Sequence, residues 1–276
     1  MVGDTTNDVL PWRVRPARLR PAGFVAPRER FGHRRDGART SDSPAAVRVP
    51  FNRVQLRAAR GLSESKHTAA HALAVAVADY SAIEAARAVH GDRFRNEEGF
   101  SLTFLPFVAS AVAAVLPDFP SLNAFAVDDM ITRKQAIHLC FAVDLDHQGL
   151  VVPVVRDADG RSVRGLARAI RDVAGRARAK QLKPDDLAGG TFTITNPGGH
   201  GTHVSFPIIN RPQVAILSTD GVGKEVVADD HGRLRIAPTG RLCLGSDARA
   251  VTAAEAAGFL AALVARLERH DWIAAL

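Results

Sequence analysis

Sulfur, aromatic rings and long apolar runs are all scarce in this chain. Its 276 residues include two cysteines, two tryptophans and one tyrosine. Cys140 and Cys243 are far apart and outside any CxxC spacing, which argues against a disulfide framework and fits a reducing cytosol. Both thiols are expected to be buried and inert. No apolar run approaches the roughly 18 residues of a membrane span. The N-terminus has no apolar core of a secretory signal. A cytoplasmic protein without a membrane partner is therefore expected. What the chain does have is bulk: 46% of it is apolar, enough for a core, and its length suits one large domain or two small ones.

Charge is unevenly placed. The formal net charge is +7, and residues 1–48 hold ten arginines against five acids, so most of the excess lies there. That segment is rich in proline and arginine and has no helical or strand period. It reads as an extended or disordered arm. A solvated or subunit-wrapping arm is the simplest reading, and docking to an acidic partner is another. Nucleic acid is disfavoured, because aromatic interleaving is thin and the remainder of the chain is not basic.

From residue 49 onward the pattern is that of an α/β domain. "RVQLRAARGLSES" has helical spacing, with Leu56, Ala59 and Leu62 on one face. "HALAVAVADY" alternates like a strand. "SAIEAARAVHGDRF" opens with Ser81 as N-cap and Glu84 three residues on, a capping box. Residues 103–120 read as an apolar helix ended by prolines. "AIHLCFAVDL" and "GLVVPVVRDA" read as one strand each. Residues 162–181 form an Arg-rich amphipathic helix. "GTFTITN" is a strand entering the glycine loop "PGGHGTH". "QVAILSTDGV" and "RLRIAPTGRLCLGSD" are further strands, and "AAEAAGFLAALVARLERH" closes the chain as a helix. The alternation predicts a mixed central sheet with helices packed against it.

Three stretches, "HQGLVVPVVRDADGRS", "LKPDDLAGGTFTITNPGG" and "FPIINRPQVAIL", together resemble one family. It is the catalytic domain of the acyltransferase component of 2-oxoacid dehydrogenase complexes, whose fold the chloramphenicol acetyltransferases share. "SESKHTAAHA" and "TFLPFVASAVAAVLPDFPSLNAF" match earlier family segments in order, so the resemblance runs from about residue 49 to the end. It implies a homotrimer, or a higher symmetric assembly, with active sites at subunit interfaces. Acyl-CoA, acetyl-CoA above all, would enter from one side and the acceptor from the other. In complex-forming members the acceptor is a lipoyl group on a flexible arm. Residues 1–48 are too short for a lipoyl domain and contain no lysine, so no lipoyl attachment is expected in this chain and a freestanding catalytic domain is.

The resemblance also implies the site. The family's base is a histidine in an H-x-x-x-D-G pattern, and a Ser or Thr hydroxyl from the neighbouring subunit donates to the tetrahedral oxyanion. In "SDARAVTA" the histidine becomes Ala248, the aspartate Thr252 and the glycine Ala253, while Asp247 and Arg249 persist. The arginine that pairs with the motif's aspartate becomes Gly61. Both ends of that ion pair are absent, which is tolerable where losing one end would strand a buried charge. Thr195 falls at the oxyanion position and Asn196 follows it. His71 falls where the family often has a histidine lining the acceptor channel. His200 and His203 lie in the glycine loop beside Thr195, without a third ligand at metal-binding spacing. Thr195, His71, His200 and His203 are thus the candidate catalytic residues, and Asn196, Asp247 and Ala248 the candidate substrate-binding positions. Asp247 is too weak a base for an alcohol at an ordinary carboxylate pKa.

Three functions compete. The first is a freestanding acyl-CoA-dependent acyltransferase acting on the hydroxyl or thiol of a small or carrier-bound acceptor. Related stand-alone enzymes acetylate hydroxyls in natural-product pathways, notably on tetronate rings. The second is a degenerate scaffold subunit of a 2-oxoacid dehydrogenase-type core. The third is a repurposed channel for elimination or cyclisation without acyl-CoA.

Overall fold

The computed structural model describes residues 49–146, 148–229 and 231–276, and the expected arm at 1–48 lies outside them. Helix α1 (Arg53–Thr68) begins on Asn52, whose side chain accepts from the Gln55 N–H while Gln55 returns a bond to the Asn52 N–H. Strand β1 (His71–Asp79) and helices α2 (Ser81–Glu98) and α3 (Leu105–Val115) follow. Then come a hairpin, β2 (Ala124–Val127) and β3 (Met130–Arg133), and four short strands, β4 (Leu139–Phe141), β5 (Val143–Asp144), β6 (Leu150–Val151) and β7 (Val154–Val155). Helix α4 (Val163–Arg178) leads to β8 (Phe192–Thr195), β9 (Ala215–Thr219), β10 (Gly223–Ala228), the long β11 (Leu234–Asp247) and helix α5 (Ala253–Arg269).

The main sheet has the order β1-β11-β9-β8-β4-β7, with β10 on the first half of β11. β8 is parallel to both β9 and β4, and the other pairs are antiparallel, so the sheet is mixed as expected. Strand β1 shows how its faces are used. Ala74, Ala76 and Ala78 turn toward the core, where α5 packs, while Leu73, Val75 and Val77 remain 40–52% exposed. Phe107, Phe192, Phe259, Leu263 and Trp272 are buried in one apolar cluster between sheet and helices. Trp272 donates its indole N–H to the Leu267 carbonyl, which satisfies the one polar atom it buries.

Several expectations are corrected. Tyr80, not Ser81, is the N-cap of α2, and no side-chain cap bond forms. Ser81 is the first helical residue, and its N–H goes to the Asp79 carboxylate at 2.7 Å. The two long strands are each split. Pro153 separates β6 from β7, because it has no N–H for the ladder. The β2–β3 hairpin turns through Asp128 in the left-handed region (φ 52°). In α1, Leu56 and Leu62 form no buried face and are 42% and 40% exposed, and the only buried residue of that helix is Ser65. Both cysteines are buried, and burial pushes the Cys243 thiol up to about 11. Among the described residues no helix is long and apolar enough to cross a membrane, and no group of three His, Cys, Asp or Glu is placed to hold a metal ion.

Candidate active site

Strand β8 ends at Thr195 between two depressions. Because successive strand residues point to opposite sides, Thr195 and Asn196 serve different ones. Thr195 lines a large open cleft of about 1140 Å³, and Asn196 lines a smaller cavity of about 230 Å³ with Gly198, Gly199, Thr219 and Tyr80. The Thr195 hydroxyl is half-buried and donates to no described residue, so it is free to donate into the large cleft. The Asn196 side chain accepts the Gly198 N–H at 3.1 Å and so shapes the start of the glycine loop.

That loop is clamped from beneath by Asp220, a residue the sequence reading did not single out. Its carboxylate, 3% exposed, accepts from the Ser205 hydroxyl at 2.6 Å and the Cys243 thiol at 3.3 Å. Burial raises the Asp220 carboxyl, but the hydrogen bonds led by that from Ser205 outweigh it, and the group stays below the usual carboxylate range. Gly198 crosses the Asp220 backbone so closely that a Cβ there would sit 2.7 Å from the Asp220 carbonyl carbon. The only signal in sequence was "TDG" after an apolar run, which reads equally well as a turn. His200 and His203 ride on this loop, exposed to solvent.

His71 is built differently. Its Nε2 accepts the Ile209 N–H at 3.1 Å, so the proton must lie on Nδ1, which faces the Ala69 carbonyl at 3.2 Å. Both ring nitrogens are committed to backbone. Ser65 makes a parallel link, donating to the Ile209 carbonyl at 2.7 Å, and Arg211 reaches Glu64 at 2.7 Å. The end of α1 and the start of β1 therefore hold segment 206–212, one wall of the large cleft.

At the end of β11, Asp247 pairs in register with His71. Its side chain is 3% exposed and receives three bonds from the Arg249 guanidinium, at 2.6, 3.0 and 3.2 Å. The N–H groups of Ala70 and Arg249 add two more. Burial raises this carboxyl, and the Arg249 guanidinium and the backbone donors more than offset it, leaving it below its ordinary value. Asp247 thus serves the turn and lines neither cleft. Ala248, where a base is absent, is exposed and bonded only through its N–H to the Ala70 carbonyl. Thr252 is the N-cap of α5 in a capping box with Glu255. Gly61 lines the large cleft, with nothing within 4 Å of where a Cβ would stand. The structure thus brings Thr195 and Gly61 to one cleft and keeps the His71 ring, Asp247 and Ala248 out of its lining.

The family model described as 2-oxoacid dehydrogenases acyltransferase (catalytic domain) matches residues 43–274. The lipoamide acyltransferase component of the branched-chain alpha-keto acid dehydrogenase complex of Bacillus subtilis is 34% identical over 223 residues, 81% of this chain and 52% of the relative. The chain thus spans about half the length of that curated relative. Among solved structures, a probable dihydrolipoamide acetyltransferase of Listeria monocytogenes superposes with a TM-score of 0.79 at 34% identity, covering 83% of this chain and 98% of that one. The cubic core of a pyruvate dehydrogenase multienzyme complex gives a TM-score of 0.79 at 31% identity, with coverages of 83% and 94%. The chain belongs to the acyltransferase catalytic-domain family of the 2-oxoacid dehydrogenases.

Proposed function

We propose that this chain transfers an acyl group, acetyl in the simplest case, from acyl-CoA to a hydroxyl or thiol of a small or carrier-bound acceptor. The observation that carries this is the uncommitted Thr195 hydroxyl at the mouth of the large cleft. A hydroxyl fixed at a strand end is preorganised to donate to the oxyanion of a tetrahedral intermediate, and such donors are worth about 10²–10³ in rate. The second cavity, behind Asn196, gives the same strand end a side from which the other substrate approaches. No base stands at position 248. Positioning and oxyanion stabilisation survive that loss, whereas a general base adds about 10²–10⁴-fold. His71 supplies no base at Nε2 without losing the Ile209 N–H bond, which leaves His200 and His203, exposed on the glycine loop, as the other candidate histidines beside Thr195.

A symmetric assembly fits this reading. The exposed stripe Leu73, Val75 and Val77, with Val226 and Ile236 at 66% and 70% exposure, leaves apolar surface of the kind subunit contacts cover. The cubic core among the structural relatives supports a symmetric arrangement. The altered motif favours one second reading, a core subunit that positions partners without catalysing.

The test is CoA release from acetyl-CoA against a panel of alcohols, thiols and dihydrolipoamide, with Thr195→Val beside the native protein. Turnover that falls about 10²-fold or more in the variant supports transfer. Turnover indifferent to the substitution refutes the role of Thr195. No turnover on any acceptor, with co-purification of a second, histidine-bearing acyltransferase chain, favours the scaffold.

A further inference from the structure

Helix α1 presents residues 53, 57 and 61 along one stripe, one turn apart, and all three line the large cleft. Gly61 leaves the inner end of the stripe open. Arg53 and Arg57 occupy the rest, and neither forms an ion pair or hydrogen bond with a described residue. Arg211 lines the same cleft, paired to Glu64, the one carboxylate among its lining residues. Among the described residues these two exposed guanidinium groups therefore stand uncompensated, in a cleft whose other walls include Leu62, Val152 and Phe206. Low-dielectric walls focus such a field, and the planar fork of arginine matches an oxyanion.

Resting on the acyltransferase reading above, we propose that Arg53 and Arg57 bind an anionic acceptor, one whose attacking oxygen is already ionised at neutral pH, as in an acidic enol. This joins two observations, the cationic cleft and the methyl group at position 248. An ionised oxygen needs no base. It attacks the thioester carbonyl, the new C–O bond forms, the C–S bond breaks, and the negative charge leaves on the CoA sulfur, which takes a proton from solvent. Thr195 donates to the carbonyl oxygen throughout.

The probe is 1,3-cyclohexanedione, an enol ionised at neutral pH, beside cyclohexanol as its neutral counterpart. Binding is followed by ligand-observed NMR and transfer from acetyl-CoA by CoA release, in the native protein, in Arg53→Gln/Arg57→Gln and in the surface control Arg178→Gln. The dione is expected to bind and cyclohexanol not. The double variant should weaken dione binding about tenfold or more, with an unchanged melting temperature and an unchanged KM for acetyl-CoA. The control should match the native protein. Equal dione binding in native and double variant overturns the proposal. So does a raised KM for acetyl-CoA with dione binding unmoved, which would assign the arginines to the phosphates of CoA. If the dione binds through the arginines but no acyl transfer occurs, the anion site stands and the acyltransferase reading falls.

Discussion

Arg249→Ala tests how the altered motif is held together. Asp247 is 3% exposed on its side chain and Arg249 51%. Removing the guanidinium leaves a carboxylate that is 3% exposed in the native fold, with only the Ala70 and Arg249 N–H groups to stabilise it. Stranding a buried charge costs about 3–5 kcal/mol, and the two remaining donors place this case near the lower end. For a unit of this size, about 3 kcal/mol is a loss of about 6–12 °C in melting temperature. Asp247→Ala is expected to cost less, about 1–2 kcal/mol, because the half-exposed arginine it frees can hydrate. The pH dependence gives the sign. In the native protein the Asp247 carboxyl lies below its ordinary value, so its contribution is present at neutral pH and is lost as pH falls through the folded value. In Arg249→Ala, burial acts without the guanidinium and moves the carboxyl upward. The folded variant then takes up its proton at higher pH than the unfolded chain, and acid relieves part of the defect. Thermal unfolding followed by circular dichroism at pH 7.5 and pH 5 should show the gap between native and variant narrowing. A gap below about 2 °C, or one that is the same at both pH values, refutes the argument.

Gly198→Ala should disorder the glycine loop, since its Cβ would meet Asp220 backbone at 2.7 Å and that backbone cannot rotate away. A loss of about 1–3 kcal/mol in chemical unfolding is expected, with a larger fall in acyl transfer than in stability, and a native-like melting curve would disprove it. The triple substitution Gly61→Arg, Ala248→His and Thr252→Asp should restore a base and its ion pair. Gly61 has room for the side chain, and Asp is as good an N-cap as Thr. A gain of about 10²–10⁴-fold with a neutral alcohol acceptor is expected, and no gain with a folded triple variant would show that position 248 no longer faces the reacting atoms.

Sequence period was a good guide wherever elements are long. Helix α4 (Val163–Arg178) falls within the expected 162–181, with the Ser162 hydroxyl accepting the Gly165 N–H, and α5 and β11 run nearly their expected lengths. Period failed where elements are short. β2 and β3 have four residues each, and β5, β6 and β7 two each, too few to show alternation. It also failed where the outer surface is apolar. In α1 the leucines suggested a buried face, yet the cleft is lined by the arginine stripe and by Gly61. The site divides along the same line. Thr195 was singled out through the family resemblance, which places it at the oxyanion position; its strand-end setting alone marks no function. The Asp220 clamp and the double commitment of His71 depend on partners far along the chain, Ser205 and Cys243 for one and Ile209 for the other. No local pattern encodes those.

Thr252 and Ala248 in the motif, and Gly61 at the position of its ion-pair partner, are not equivalent once placed in the fold. Thr252 has a structural use of its own: its hydroxyl and N–H exchange bonds with Glu255 and begin α5, so the position remains under constraint for the helix whatever happens to the chemistry. Gly61 and Ala248 carry no such duty, since one faces open cleft and the other is held only by its backbone. Between them stand Asp247, Arg249, His71 and Ser65, all tied to backbone or to each other, so the wall of the cleft keeps its shape without the base. Among the described residues, the Thr195 hydroxyl faces the same cleft as two arginines without an ion-pair partner. The proposed acceptor, which brings its own negative charge to the reaction, is the substrate that arrangement suits.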